Sequence, residues 1–281
     1  MAKTTIRKIP IKKKATSKNT SFFSTKFFVI SVAFLLFFTL IFHYRNAILY
    51  YFSFKSDKVY KEDKLAQARI FQVLKKHHDR VVGFDVSQFQ GEINWSKIDS
   101  VEHLAPLQFV FIRATAGNNK VDSKFKENWI NAKKHNFIRG AYHYYRPDEN
   151  SVEQAANFIK TVKLQKGDFP PVLDIEQLPD NQSVDSLRVG LKRFLKIIDN
   201  HYKVKPILYS GEKYYTTFLK NEFSDYTFWV ANYNFFVENI KDDWLFWQFS
   251  EKAFIEGINE KVDLNIYNGT PKMLQYLTIS N

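Results

Sequence analysis

The sequence predicts an α/β protein: a compact (β/α) TIM-like barrel with some of its helices reduced or missing, preceded by a single N-terminal transmembrane helix. Three observations carry this expectation. A long apolar run stands directly behind a cluster of positive charges near the N-terminus. From Val81 onward, short apolar or β-branched runs alternate with polar segments of helical periodicity. The 281 residues are 45% hydrophobic and 17% aromatic, which is enough for a full core plus an appendage.

The first element is the apolar run Phe27 to Tyr44, interrupted only by Ser31, Thr39 and His43. Residues 1–26 hold 8 Lys and Arg and no acid, so the run reads as a membrane anchor, 27–44, with a basic cytoplasmic tail, 1–26. Tyr44, Tyr50, Tyr51 and Phe52 suit the outer interface, where aromatic rings settle. A cleaved signal peptide is the competing reading, but the run exceeds a usual signal core and no small-residue cleavage pattern follows it. Everything beyond the helix is then expected outside the cytoplasm.

A formal charge of +12 suggests nucleic acid, and the distribution of that charge excludes it as a partner. Residues 1–26 carry a net +8, residues 27–80 a net +5, and residues 81–281 a net −1. Residues 45–80 read as a juxtamembrane stalk: the charged stretch Lys55 to Arg80 has only a thin apolar stripe of Leu65, Ile70, Val73 and Leu74. The absence of cysteine excludes disulfides, thiolate metal sites, a cysteine nucleophile and a lipid-modified cysteine anchor.

Residues 81–281 form the expected catalytic domain. Eight runs read as its strands: VVGFDVS at 81–87, FVFIRAT at 109–115, IRGAYHYY at 138–145, PVLDIE at 171–176, PILYSG at 206–211, TFWVANY at 227–233, WLFWQFS at 244–250 and VDLNIY at 262–267. Helices are expected over 123–135, over 151–162 with Ser151 and Gln154 in capping-box spacing, and over 183–201 with an apolar stripe from Val184 to Ile198. The last three connections are short on helix.

In such a barrel the C-terminal strand ends face the active site, so polar residues that break the runs there become candidates for catalysis. Asp85 ends the first run, Asp174 and Glu176 end the fourth, and Asp263 opens the last. Residues two apart on a strand point to one side, so Asp174 and Glu176 share a pocket, where like charges push one pKa upward. The expectation is a protonated Glu176 acting as general acid beside a charged Asp174. Tyr142, Tyr144, Tyr209, Tyr233 and Trp247 lie near the run ends, and aromatic faces stack on sugar rings. His143 reads as a structural histidine, because no second His or Cys lies at metal-ligand spacing.

The ordered segments GFDVSQFQGEINW, FIRATAG, GAYHYYRP, PVLDIE, LYSG, FWVANY, FWQFS and VDLN, spread over about 200 residues, resemble the lysozymes of glycoside hydrolase family 25, the Chalaropsis-type N-acetylmuramidases. The resemblance implies an irregular (β/α) barrel, no metal or other cofactor, and cleavage of the bond following N-acetylmuramic acid in peptidoglycan. It also implies Glu176 as general acid and base, Asp174 as its partner, and Asp85 and Asp263 as further pocket acids. One position departs from the pattern: Ala116 stands where the family often has Glu before the glycine of RATAG. That loss raises two alternatives, a catalytically weak glycan-binding relative and a hydrolase of another N-acetylhexosamine polymer.

Overall fold

The computed structural model describes residues 21–53 and 64–280. Residues 1–20 of the expected tail and 54–63 of the expected stalk lie outside the described residues. The chain divides into two compact units after Ile48. The first is built on most of helix α1 (Ser21–Ser53), in which the most apolar window within Lys26–Tyr51 has a mean hydropathy of 2.3 and no buried residue. The helix is longer than the expected 27–44, because Ala47, Ile48, Leu49 and Tyr50 continue it without a break.

The second unit opens with α2 (Lys64–Lys76), and here the stalk expectation fails. Ala68, Ile70, Val73 and Leu74 are buried in the main core, and Gln67 and Arg69 are buried with them. A thin apolar stripe therefore packs against a sheet rather than serving as a spacer. The two buried polar side chains fill their donors on backbone carbonyls, which a stripe count does not reveal.

The barrel follows. Its strands are β1 (Val81–Val86), a short β2 (Ser100–Val101), β3 (Ala105–Ala116), a short β4 (Lys120–Val121), β5 (Ile138–Tyr144), β6 (Val172–Asp174), β7 (Ile207–Gly211), β8 (Thr227–Ala231), β9 (Phe246–Ala253) and β10 (Val262–Tyr267). Each of the eight expected runs contains one strand, while β2 and β4 are short antiparallel additions to β3. The ring closes in the order β1, β3, β5, β6, β7, β8, β9, β10 and back to β1.

All neighbours in the ring are parallel except β10, which runs antiparallel to both β9 and β1. The cause is the β9–β10 connection: residues 254–261 contain no helix, so the chain turns straight back instead of crossing over. The start of β10 therefore lies at the same rim as the ends of the other strands.

Helices α3 (Phe125–Lys134), α4 (Ser151–Thr161) and α5 (Val184–Tyr202) cover the outside. The expected stripe of α5 is realised, with Leu187, Leu191, Phe194, Leu195 and Ile198 buried and Ser183 capping its first turn. The expected capping box of α4 is not: Asn150 is the cap, accepting from the amides of Val152 and Glu153. Gln154 is fully buried and serves another purpose, its Nε2 donating to the carbonyls of Arg146 and Glu149 and its Oε1 accepting from the Arg146 amide. After β7 there is only one turn, α6 (Glu212–Tyr214), running into a wider turn through Leu219, and α7 (Pro271–Leu277) ends the unit.

An aromatic plug fills the barrel below the active rim. Phe109, Phe111, Phe169, Trp229 and Phe246 pack ring against ring, with Phe111 and Trp229 stacked at 4.4 Å. Room for two of these rings comes from glycine: a Cβ on Gly83 would stand 2.4 Å from the Phe109 ring, and one on Gly140 2.4 Å from the Phe111 ring.

Candidate active site

Strand alternation sorts the side chains at the upper rim. On β1, Phe84 faces the outer core and Asp85 the lumen; on β6, Leu173 and Ile175 go out while Val172, Asp174 and Glu176 go in. Regular pairing ends at Asp174, but the Ile175 amide still donates to the Tyr209 carbonyl at 3.1 Å, so the chain stays extended to Glu176. On β10, Asp263 pairs with Asp85 across the antiparallel ladder.

Asp85, Asp174, Glu176 and Asp263 thus line one cavity of about 200 Å³, together with Tyr142, Tyr209, Trp229, Tyr233, Gln248 and Glu251. Past Glu176, Tyr209 and Tyr233 the cavity opens into a groove of about 980 Å³, lined by Leu178, Val184, Tyr214 and Phe218 and edged by Arg188 and Lys213. A small acidic pocket opening on a wider groove with aromatic walls has the form of a ligand site: a concave surface with a few convergent polar groups.

Burial raises the pKa of all four carboxyls, and neighbours decide where the protons sit. Asp85 Oδ2 accepts from Gln248 Nε2 and Asn265 Nδ2, both at 2.8 Å, and these donors favour its charged form. Asp263 is raised further, first by burial and then by the charge of Asp85. Of the two, Asp263 keeps its proton to the higher pH. Asp174 is pushed well above its usual range by burial and by Glu176, whereas burial raises Glu176 and the hydrogen bond from Asp174 offsets part of that rise. These directions favour the proton on Asp174, the deeper of the two, whereas the expectation from the sequence was Glu176 at the mouth. The other Asp174 oxygen, Oδ1, is buried and has no hydrogen-bond partner in the protein.

Of the aromatics singled out in the sequence, Tyr142, Tyr209 and Tyr233 line the cavity, Tyr233 with 39% exposure. Tyr144 is half-buried beside Asp174 in the ladder and close enough for Asp174 and Glu176 to raise its pKa, after burial. Trp247 is not brought to the site. It is 0% exposed on the outer face of β9, donating Nε1 to the Asn232 carbonyl, because Phe246 and Gln248 take the inward positions on either side of it. His143 also points outward, between Thr115 Oγ1 and Gln154 Oε1, and burial lowers its pKa to about 4. Ala116 closes β3 beside Tyr144 and Lys120.

Four residues of the site, Trp229, Gln248, Glu251 and Asn265, escaped the sequence reading. Gln248 accepts from the Tyr209 hydroxyl at 2.7 Å and from that of Tyr233, which aims its amide nitrogen at Asp85. Asn265 accepts from Trp229 Nε1 at 2.8 Å and likewise turns its nitrogen to Asp85. Glu251 adds a fifth carboxylate at the cavity wall. The signal was present: Gln248 is a lone amide inside an apolar strand, and Asn265 stands two residues from Asp263 on the same face.

The model of glycosyl hydrolases family 25 matches residues 84–258. The Escherichia coli K12 protein YegX is 40% identical over 195 residues, covering 69% of this chain and 71% of its own. The N,O-diacetylmuramidase of Chalaropsis is 28% identical over 149 residues, 49% of this chain and 69% of its own. The bacterial lysozyme of Streptomyces coelicolor superposes with a TM-score of 0.63 at 29% identity, covering 71% of this chain and 97% of its own.

Proposed function

Because the chain belongs to glycosyl hydrolases family 25, we propose that it is a peptidoglycan hydrolase that cuts the β-1,4 bond between N-acetylmuramic acid and N-acetylglucosamine. The observation that carries this reading is the Asp174–Glu176 pair, a buried carboxyl beside an exposed one, lining an acidic cavity that opens on a groove with aromatic walls. Ala116 does not favour the weak-relative alternative, since five acids remain assembled in the cavity.

Glu176, at the mouth, is the group placed to reach the leaving oxygen. A sugar covering it would strip its water and raise its pKa further, drawing a proton to it from Asp174. The unpartnered Asp174 Oδ1 is an acceptor for an amide N–H, and the 2-acetamido group of the sugar offers one. Asp174, then charged, orients that group, whose carbonyl oxygen attacks the anomeric carbon while Glu176 protonates the leaving oxygen. Water activated by Glu176 opens the resulting oxazolinium with net retention. Digestion of purified wall followed by mass spectrometry tests the bond: new reducing ends on N-acetylmuramic acid support the reading, and new ends on N-acetylglucosamine overturn it. Glu176→Gln is expected to lose some two to four orders of magnitude in turnover while still binding glycan.

The apolar stretch Lys26–Tyr51 supports a place beside the wall. The helix acts as a single-pass anchor, and the positive-inside bias puts the catalytic unit outside the cytoplasmic membrane. Protease added to spheroplasts should then digest that unit without lysis. Protection until lysis would reverse the topology.

A further inference from the structure

The helix α2 lies before residue 84, where the family match begins, yet it reaches the active rim through one side chain. Arg69 is 5% exposed. It spends its guanidinium on three backbone carbonyls: Nε on Phe249 at 3.2 Å, Nη1 on Val237 at 3.1 Å and Nη2 on Asn232 at 3.2 Å. Burial lowers its pKa only to about 10, so it stays charged at neutral pH. Its guanidinium also lies over the Trp247 ring at 5.6 Å, and Trp247 Nε1 donates to the same Asn232 carbonyl.

Two of those carbonyls, Asn232 and Val237, belong to the segment 232–238, which has no regular structure between β8 and β9, while Phe249 lies on β9 itself. Nearby donors of α2 grip its far end: His77 Nε2 meets the Glu238 carbonyl at 2.8 Å, and Gln72 and Lys76 reach the Glu238 carboxylate. The residue after Asn232 is Tyr233. Its hydroxyl, with that of Tyr209, occupies Gln248 Oε1 and so leaves Gln248 Nε2 facing Asp85.

We infer that Arg69 is a positioning residue for the active site: by pinning the 232–238 segment from outside the barrel, it sets Tyr233, and through Gln248 the carboxylate of Asp85. A loop held by charge-assisted bonds to a helix cannot drift without losing several donors at once. The catalytic consequence rests on the muramidase reading, whereas the pinning itself does not.

The experiment compares the full-length wild type with Arg69→Met, Arg69→Lys and the control Gln67→Met, which removes a bond from α2 to the Lys252 carbonyl but none to the segment. Hydrogen exchange of the 232–238 amides should accelerate at least tenfold in Arg69→Met, less in Arg69→Lys, and not in Gln67→Met. On wall glycan, well below each variant's melting temperature, Arg69→Met should lose about tenfold in kcat/KM, since small misplacements at a reacting centre are costly. Combined with Tyr233→Phe, the two losses should fail to multiply, because both act through one group. If Arg69→Met does not fold, Arg69→Lys carries the same comparison. Unchanged exchange, or losses that multiply, overturns the inference. A wild type that leaves wall glycan intact while exchange accelerates as expected overturns the activity reading and leaves the pinning standing.

Discussion

Asp174 and Glu176 are separated by one residue and differ chiefly in depth. The deeper carboxyl pays the larger desolvation cost, which pushes its pKa up, and its Oδ1 is unpartnered. If that oxygen receives the acetamido N–H, Asp174→Asn should be severely impaired, because an amide cannot carry the charge that orients the attacking group. The anomer released first separates the routes: NMR of a defined wall oligosaccharide, read before mutarotation, should show β. An α product would assign attack to water and make Asp174 a candidate base. The pair of carboxylates was legible in the sequence because two-residue spacing on a strand is a strong geometric statement. Their protonation order was not, since it depends on how far each sits below the rim. Trp247 marks the same boundary: aromatic identity was plain at the strand end, but the face it takes depends on a register that the run alone does not specify.

At the scale of elements, hydrophobic runs of β-type were enough to locate every strand of the ring, and their boundaries shifted where neighbours extended or curtailed the pairing. The direction of β10 was not legible in its own residues. It follows from the short, helix-free 254–261 connection, and it explains how Asp263, at the start of a run, reaches the rim where Asp85 ends one. The role of α2 was missed for a related reason, because two of its six buried residues, Gln67 and Arg69, are polar and donate to carbonyls distant in sequence. The aromatic plug makes a test of packing at this scale. On β5, Gly140 gives its missing Cβ to the Phe111 ring, which must otherwise shift against Trp229 and Phe169. Gly140→Ala should therefore destabilise by about 1–3 kcal/mol, measured by thermal or denaturant unfolding. A neutral or stabilising result would mean the plug is loosely packed.

The whole molecule carries the cost of assembling its acids in one cavity, and the sign of that cost can be worked out. Asp85, Asp174, Glu176 and Asp263 all have folded pKa values raised above their unfolded ones, near 4. A raised group contributes stability that is complete below the unfolded pKa and lost as pH climbs through the folded one. His143 acts oppositely: its folded pKa of about 4 lies below its ordinary 6.5, so its contribution is present above 6.5 and is lost as pH falls toward 4. Between about pH 4.5 and 6.5 His143, joined by His77, whose pKa burial also lowers, offsets part of the carboxyl effect. Above 6.5 only the carboxyls act, and there the melting temperature should fall most steeply with pH. Asp263→Asn isolates the effect: the amide can donate to Asp85 as the protonated acid does, but it never has to ionise. The variant should melt higher than the parent at pH 8 to 9, converge with it near pH 5, and lose activity, because the pocket surrenders one of its acids. Thermal melts of the full-length protein in detergent across that range check this. A parent whose melting temperature rises from pH 6.5 to 9, or a variant with an unchanged slope, would place the protons elsewhere than on Asp263 and Asp174.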